Sequence, residues 1–139
     1  MAKQTSPAVP RWKKAVPDLG AQRELRLDAL YRVAAAAFRR NGYHGTSLVD
    51  IARELGVSKP TLYHYIANKQ DLLFQCHLVA ADQAIAAICD DPALSGLDKV
   101  RRTIANYIVA IIGEESASVV ILEEKSLSPE QLDVVIARR

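Results

Sequence analysis

Lys59, Thr61, Tyr63 and His64 fall within six consecutive positions, and each carries a side chain able to donate a hydrogen bond. Ser58 stands immediately before them, and Lys69 five residues after His64. Short polar donors with interspersed cations suit anionic oxygens and the edges of nucleobases. The chemistry is recognition, since nothing around these residues supplies an activated nucleophile. The three histidines, His44, His64 and His77, have no neighbouring Cys or carboxylate at metal-ligand or catalytic spacing. No nucleophile elbow, glycine-rich phosphate loop or metal signature is present. The sequence therefore argues against an enzyme, a metal site and a cofactor. Cys76 and Cys89 lie thirteen positions apart in what reads as one helix, too far apart along its axis for a disulfide.

Presenting such donors together requires a hairpin of short helices. Between Leu48 and Tyr65, Ile51, Leu55, Val57, Leu62 and Tyr65 take inward positions, and Ala52 is small where two helices would cross. Gly56 takes the corner, where a residue with a β-carbon would be strained. Ser47 and Ser58 stand where capping residues belong, and Pro60 occupies a first turn that lacks partners for its N–H groups. The pattern is a helix-turn-helix, whose second helix enters the major groove of duplex DNA. Lys59, Thr61, Tyr63 and His64 face outward from that second helix.

The flanking sequence is helical throughout. A first helix is expected over 23–41, with Leu27, Leu30, Tyr31, Ala34, Ala37 and Phe38 on one stripe and Asn41-Gly42 as its stop. A fourth helix starts near Asn68 and reaches toward Cys89, and a fifth runs over 97–113. A sixth is expected over 119–125, and a seventh opens at Ser128-Pro129. No segment alternates as a strand would, so the fold class is all-α. Three units follow: a basic leader over 1–22 with three prolines and Trp12, a helix-turn-helix domain over 23–83, and a helical regulatory region over 84–139. The leader is expected to be unstructured and is a candidate basic arm along phosphates.

Charge is unevenly placed. Residues 1–69 hold twelve Lys/Arg against five Asp/Glu, and residues 70–139 hold six against eleven. A basic first half beside an acidic second half suits a protein offering one end to a polyanion. With no long apolar run and no signal-like leader, the expected location is the cytoplasm, without a membrane.

The segment GYHGTSLVDIARELGVSKPTLYHYIANKQDLL, from Gly42 to Leu73, preceded by AAAAFRRNGY, resembles the TetR family of transcriptional repressors. The resemblance extends over about 23–83. It implies a three-helix DNA-binding domain followed by a helical regulatory domain, and a homodimer on palindromic operator DNA that a small-molecule effector releases. It implies a phosphate contact from Thr46 or Ser47, and phosphate and base contacts from Ser58, Lys59, Thr61 and Tyr63. It further implies a backbone contact from His64 and a phosphate clamp at Lys69, with Tyr65 packed inside. Family chains are usually longer, so the 139 residues read as a member truncated at its carboxy terminus. Ile104, Tyr107, Ile108 and Ile111 form an apolar stripe that is most simply core, and alternatively the lining of an effector site.

Overall fold

An alanine run with no interior proline makes the first helix, α1, over Leu19–Asn41. Leu30, Ala34, Ala35, Ala37 and Phe38 are buried on its inward stripe. The alanines leave room for a second long helix to approach closely. The computed structural model describes residues 19–113 and 123–138, and those residues are helices and connecting turns with no strand. The helix begins four residues earlier than the sequence pattern marks, because the last proline of the leader is Pro17. The rest of the leader, with Trp12, lies outside the described residues.

Gly42 ends α1 with φ 72°, in the left-handed region. A tight turn over 43–46 leads into α2, Leu48–Leu55. Ser47 caps α2 by accepting from the Asp50 amide. Gly56, at φ 69°, closes it, and its N–H donates to the last carbonyls of α2. Ser58 then caps α3, a single turn over Lys59–Leu62. Asn68 caps α4, Lys69–Ala86, accepting from the Asp71 amide. After a turn, Ser95 caps α5, Gly96–Ile112. A one-turn 3₁₀ segment over 123–126 precedes α6, Pro129–Arg138. There Ser128 accepts from the Gln131 amide while the Gln131 side chain accepts from the Ser128 amide, a reciprocal capping box.

The core gathers where α1, α2 and α4 meet. Ile51, Leu62, Leu72, Leu73 and Cys76 are almost fully buried there. Each aliphatic side chain so buried contributes about 1.5–3 kcal/mol. Leu127 and Val135 join the same cluster, so α6 packs on α4 and the two are one body. Arg138 pairs with Asp82 at 2.7 Å, and Gln70 donates to the Ser126 carbonyl at 2.8 Å.

Three expectations change. The fourth helix ends at Ala86 instead of running to Cys89, and the chain turns at Asp91 toward the Ser95 cap. Part of the expected sixth helix, 119–122, lies outside the described residues, and 123–125 belongs to the 3₁₀ turn. The third difference concerns α5, which buries no residue at all. Val100, Ile104, Ile108 and Ile111 of its stripe are 36–55% exposed, so among the described residues the stripe is not core. The helix is held to the α4–α5 turn by polar contacts. Asn106 donates to the Ala87 carbonyl at 3.1 Å, and the Cys89 amide donates to Thr103 Oγ1 at 2.9 Å.

Candidate nucleic-acid interface

The outward ridge begins with its caps. The Ser58 hydroxyl accepts from the Thr61 amide at 3.2 Å and shares a 2.7 Å hydrogen bond with Thr61 Oγ1. A helix of four residues cannot persist unaided, because nucleating one turn is unfavourable. Leu62, 1% exposed, anchors the turn from within, and the Ser58 cap holds it from the front. The residues between face solvent. Lys59, Tyr63 and His64 are exposed, and Thr61 is half-buried. The Lys59 ammonium lies 5.9 Å from the centroid of the Tyr63 ring, so cation and aromatic face occupy one strip of surface.

At the start of α2, Ser47 is exposed, and its hydroxyl donates to Asp50 Oδ2 at 2.5 Å while accepting from the Asp50 amide. These bonds to Ser47, reinforced by nearby Arg53, hold the Asp50 carboxyl below its usual range. Thr46 is different. It is 2% exposed, and its hydroxyl donates to the carbonyls of Ala37 and Gly42 at 3.1 and 2.8 Å. That burial withdraws Thr46 from any surface contact and leaves Ser47 as the outward residue of the pair. Lys69 is bound to the same turn. It is half-buried, and its ammonium donates to the carbonyls of Tyr43 and Thr46 at 2.7 and 2.9 Å. The same ammonium sits 4.3 Å from the Tyr43 ring centroid.

Ser47, Ser58, Lys59, Thr61, Tyr63 and His64 thus lie on the helix-turn-helix surface, whereas Thr46 is buried beneath it and Lys69 is half-buried with its ammonium on the turn carbonyls. Val57 departs from the inward set in the opposite direction. It is 39% exposed on the lip of a cleft of about 430 Å³ that Arg26, Thr61 and Tyr65 also line. Its backbone position is fixed by donation to the Ala52 carbonyl at 3.0 Å, which leaves the side chain at the rim. Tyr65 is half-buried, its hydroxyl accepting from Arg26 at 3.2 Å and its ring lying 5.5 Å beneath Arg23. Sequence spacing marked Tyr65 but neither arginine. Their separation of three positions on the polar side of α1 was the available signal.

The sequence profile of bacterial regulatory proteins of the tetR family matches residues 30–76, the span that holds α2, α3 and the buried stripe of α1. The same arrangement of helices recurs in a TetR family transcriptional regulator, PfmR, from Thermus thermophilus. That crystal structure is 32% identical with a TM-score of 0.68, over 79% of this chain and 62% of the other. The chain is thus similar to regulators of the TetR family, with the family match lying over residues 30–76. A second TetR-family structure, a bacterial regulatory protein from Rhodococcus RHA1, is 30% identical with a TM-score of 0.66, over 80% of this chain and 62% of the other. A curated relative, the fatty acid metabolism regulator protein of Bacillus subtilis strain 168, is 27% identical over 96 residues. That alignment takes in 68% of this chain and 47% of the relative. The chain thus spans about half the length of the curated relative and 62% of the two solved structures.

The four apolar residues expected to line an effector site, Ile104, Tyr107, Ile108 and Ile111, sit on α5 with exposures of 36–54%. Ile85 and Ile88, at the end of α4 and just beyond it, are exposed too. Among the described residues no cluster of His, Cys, Asp and Glu could hold a metal ion, and no helix is long and apolar enough to cross a membrane.

Proposed function

We propose that this chain is the DNA-reading part of a transcriptional regulator that binds operator DNA in a sequence-specific way. The observation that carries the reading is the division of labour in α3. Leu62 is buried to fix the turn, while Lys59, Tyr63 and His64 stand exposed beside the Ser58 cap. In this reading α3 enters the major groove. Lys59, Thr61 and Tyr63 reach bases and phosphates, Ser47, Ser58 and His64 reach the backbone, and the basic first half of the chain supplies attraction to it. The regulator acts as a cytoplasmic repressor without enzymatic activity, and a homodimer places two such ridges on a palindrome.

Release follows from a small molecule bound in the regulatory region. The apolar α5 residues Ile104, Tyr107, Ile108 and Ile111 would face it, which favours an apolar effector. Similarity to a relative named for fatty acid metabolism supports an acyl chain as the class. A helical protein-interaction module has no comparable use for the outward donors.

The test is selection of genomic fragments by the protein, followed by titration of the recovered duplex. Changing Lys59 and Tyr63 together to Ala removes about 1–3 kcal/mol for each side chain that reaches a base, a drop of at least about tenfold in affinity. Operator affinity untouched by the double change would refute the assignment. Wild-type affinity falls log-linearly as salt rises, and a flat response would refute the basic contact surface.

A further inference from the structure

We propose that the cleft between α1 and the α2–α3 hairpin is a ligand site for a small amphiphilic anion, a compact apolar body with a single carboxylate, and that its occupation weakens operator binding. The effect on operator rests on the DNA-binding reading above; the binding itself does not. The cleft has a volume of about 430 Å³, within the range of about 300–1,000 Å³ usual for small-molecule sites. Leu30 and Leu62, both almost fully buried, make its floor together with Leu55. Val57, expected inward from the sequence, is its exposed apolar lip. Arg26 and Tyr65 supply the polar edge. An apolar lining with a few polar groups that fix orientation is the usual make-up of a ligand site.

The charge at that edge selects the ligand. No acidic side chain is among the described residues lining the cleft. Arg26 spends one of its five N–H donors on the Tyr65 hydroxyl, at 3.2 Å. That hydroxyl accepts there and can still donate its own proton. Arg23 lies 5.5 Å from the centroid of the Tyr65 ring, so a second guanidinium flanks the same edge. A carboxylate between Arg26 and Tyr65 accepts from both, while its apolar body covers Leu30, Leu55 and Val57. An amine meets like charge there, and a wholly apolar molecule leaves the polar edge unused. Thr61 belongs both to the cleft wall and to the ridge offered to DNA. A carboxylate beside it sets negative charge against the phosphates and offsets the attraction of two arginines. The site is separate from the apolar face of α5, none of whose residues lines it.

The experiment titrates the full chain with naphthoate and with neutral naphthylmethanol, and follows backbone amides by nitrogen–proton correlation NMR. Naphthoate moves amides of 26–30 and 55–65 and binds at least about fivefold more tightly than naphthylmethanol, the scale of a partly exposed charged contact. Arg26→Gln abolishes that preference. Ala29→Phe, which fills the cleft, abolishes binding of both compounds. Circular dichroism checks that each variant is folded, and if Ala29→Phe is not, Arg26→Gln decides alone. Naphthoate also lowers the affinity of wild type for its selected operator, and the operator lowers the affinity for naphthoate by the same factor. Equal affinity for the two compounds, or shifts confined to 104–111, overturns the proposal. Cleft amides that respond to Trp12→Ala and not to naphthoate assign the cleft to the leader, and amides that move on dilution assign it to a second copy of the chain. Either result overturns the proposal too. Naphthoate bound in the cleft without effect on a preferred operator overturns the coupling. A protein that prefers no genomic fragment while naphthoate still moves the cleft amides sinks the DNA-binding reading and leaves the ligand site standing.

Discussion

Replacing Gly45 by Ala tests how tightly the α1–α2 turn is built. A β-carbon at Gly45 would lie 2.3 Å from the backbone oxygen of Asn41 and 3.3 Å from its carbonyl carbon. A carbonyl at the end of α1 cannot swing aside as a flexible side chain would, so the turn itself must move. Strain of this kind in packed structure costs about 1–3 kcal/mol. Two other glycines calibrate the measurement. Gly56 has open space around its missing β-carbon but a φ of 69°, so Gly56→Ala costs about 1–2 kcal/mol from backbone conformation alone. Gly96 has neither problem and opens α5, so Gly96→Ala is neutral or stabilising by up to about 1 kcal/mol. Urea unfolding followed by far-ultraviolet circular dichroism measures all three. With a slope of about 1–2 kcal/mol per molar urea, a loss of about 2 kcal/mol moves the midpoint by about 1–2 M. Gly45→Ala should also weaken operator binding more than its stability loss explains, since the turn leads directly to Ser47. A Gly45→Ala protein as stable as wild type would refute the reasoning, because the turn would then have room that the 2.3 Å approach denies.

Further outcomes are expected. Leu72→Ala, at a fully buried core position, should cost about 2–5 kcal/mol in the same assay. Burial pushes the Cys76 thiol up to about 12 from an ordinary value of 9.0. The folded state therefore keeps this proton while the unfolded chain releases it, so stability falls only as pH rises above about 9, by at most about 1.4 kcal/mol per pH unit, and the fall is absent in Cys76→Ala. In a thiol-labelling assay at mildly alkaline pH, Cys89 should react first and Cys76 only in denaturant, because Cys76 is buried and Cys89 only half so. Hydrogen exchange should show amides of α5 opening at lower free energy than those of α4, since α5 buries no side chain. Equal protection in the two helices would count against that view.

The elements that carry strong local chemistry were legible in the sequence. Ser47, Ser58 and Ser128 cap helices where their hydroxyls reach amides three residues on, a relation contained within four positions. The left-handed turns at Gly42 and Gly56 were visible for the same reason. What spacing cannot show is how partners distant in the chain dispose of a polar group. Thr46 lies beside Ser47 in sequence and has similar chemistry, yet the approach of α1 encloses it. Lys69 reads as a surface cation, and only the folded turn, 23–26 positions earlier, reveals two carbonyls waiting for it. The arginines on Tyr65 were missed likewise, since the separation of Arg26 from Tyr65 is 39 residues. The apolar stripe of α5 was correctly periodic, but periodicity marks a face without saying what meets it.

The single turn of α3 has a consequence for how such a reader changes over time. Its shape is set by Leu62 beneath it and by the serine ahead of it, and Leu62 is not among the groups presented outward. Lys59, Tyr63 and His64 add little to the folding free energy, so they can be exchanged with small thermodynamic penalty. Under the proposed DNA-binding function, new target preferences are therefore accessible by substitution at a few solvent-facing positions, without passing through misfolded intermediates. The scaffold and its message are encoded in largely separate residues.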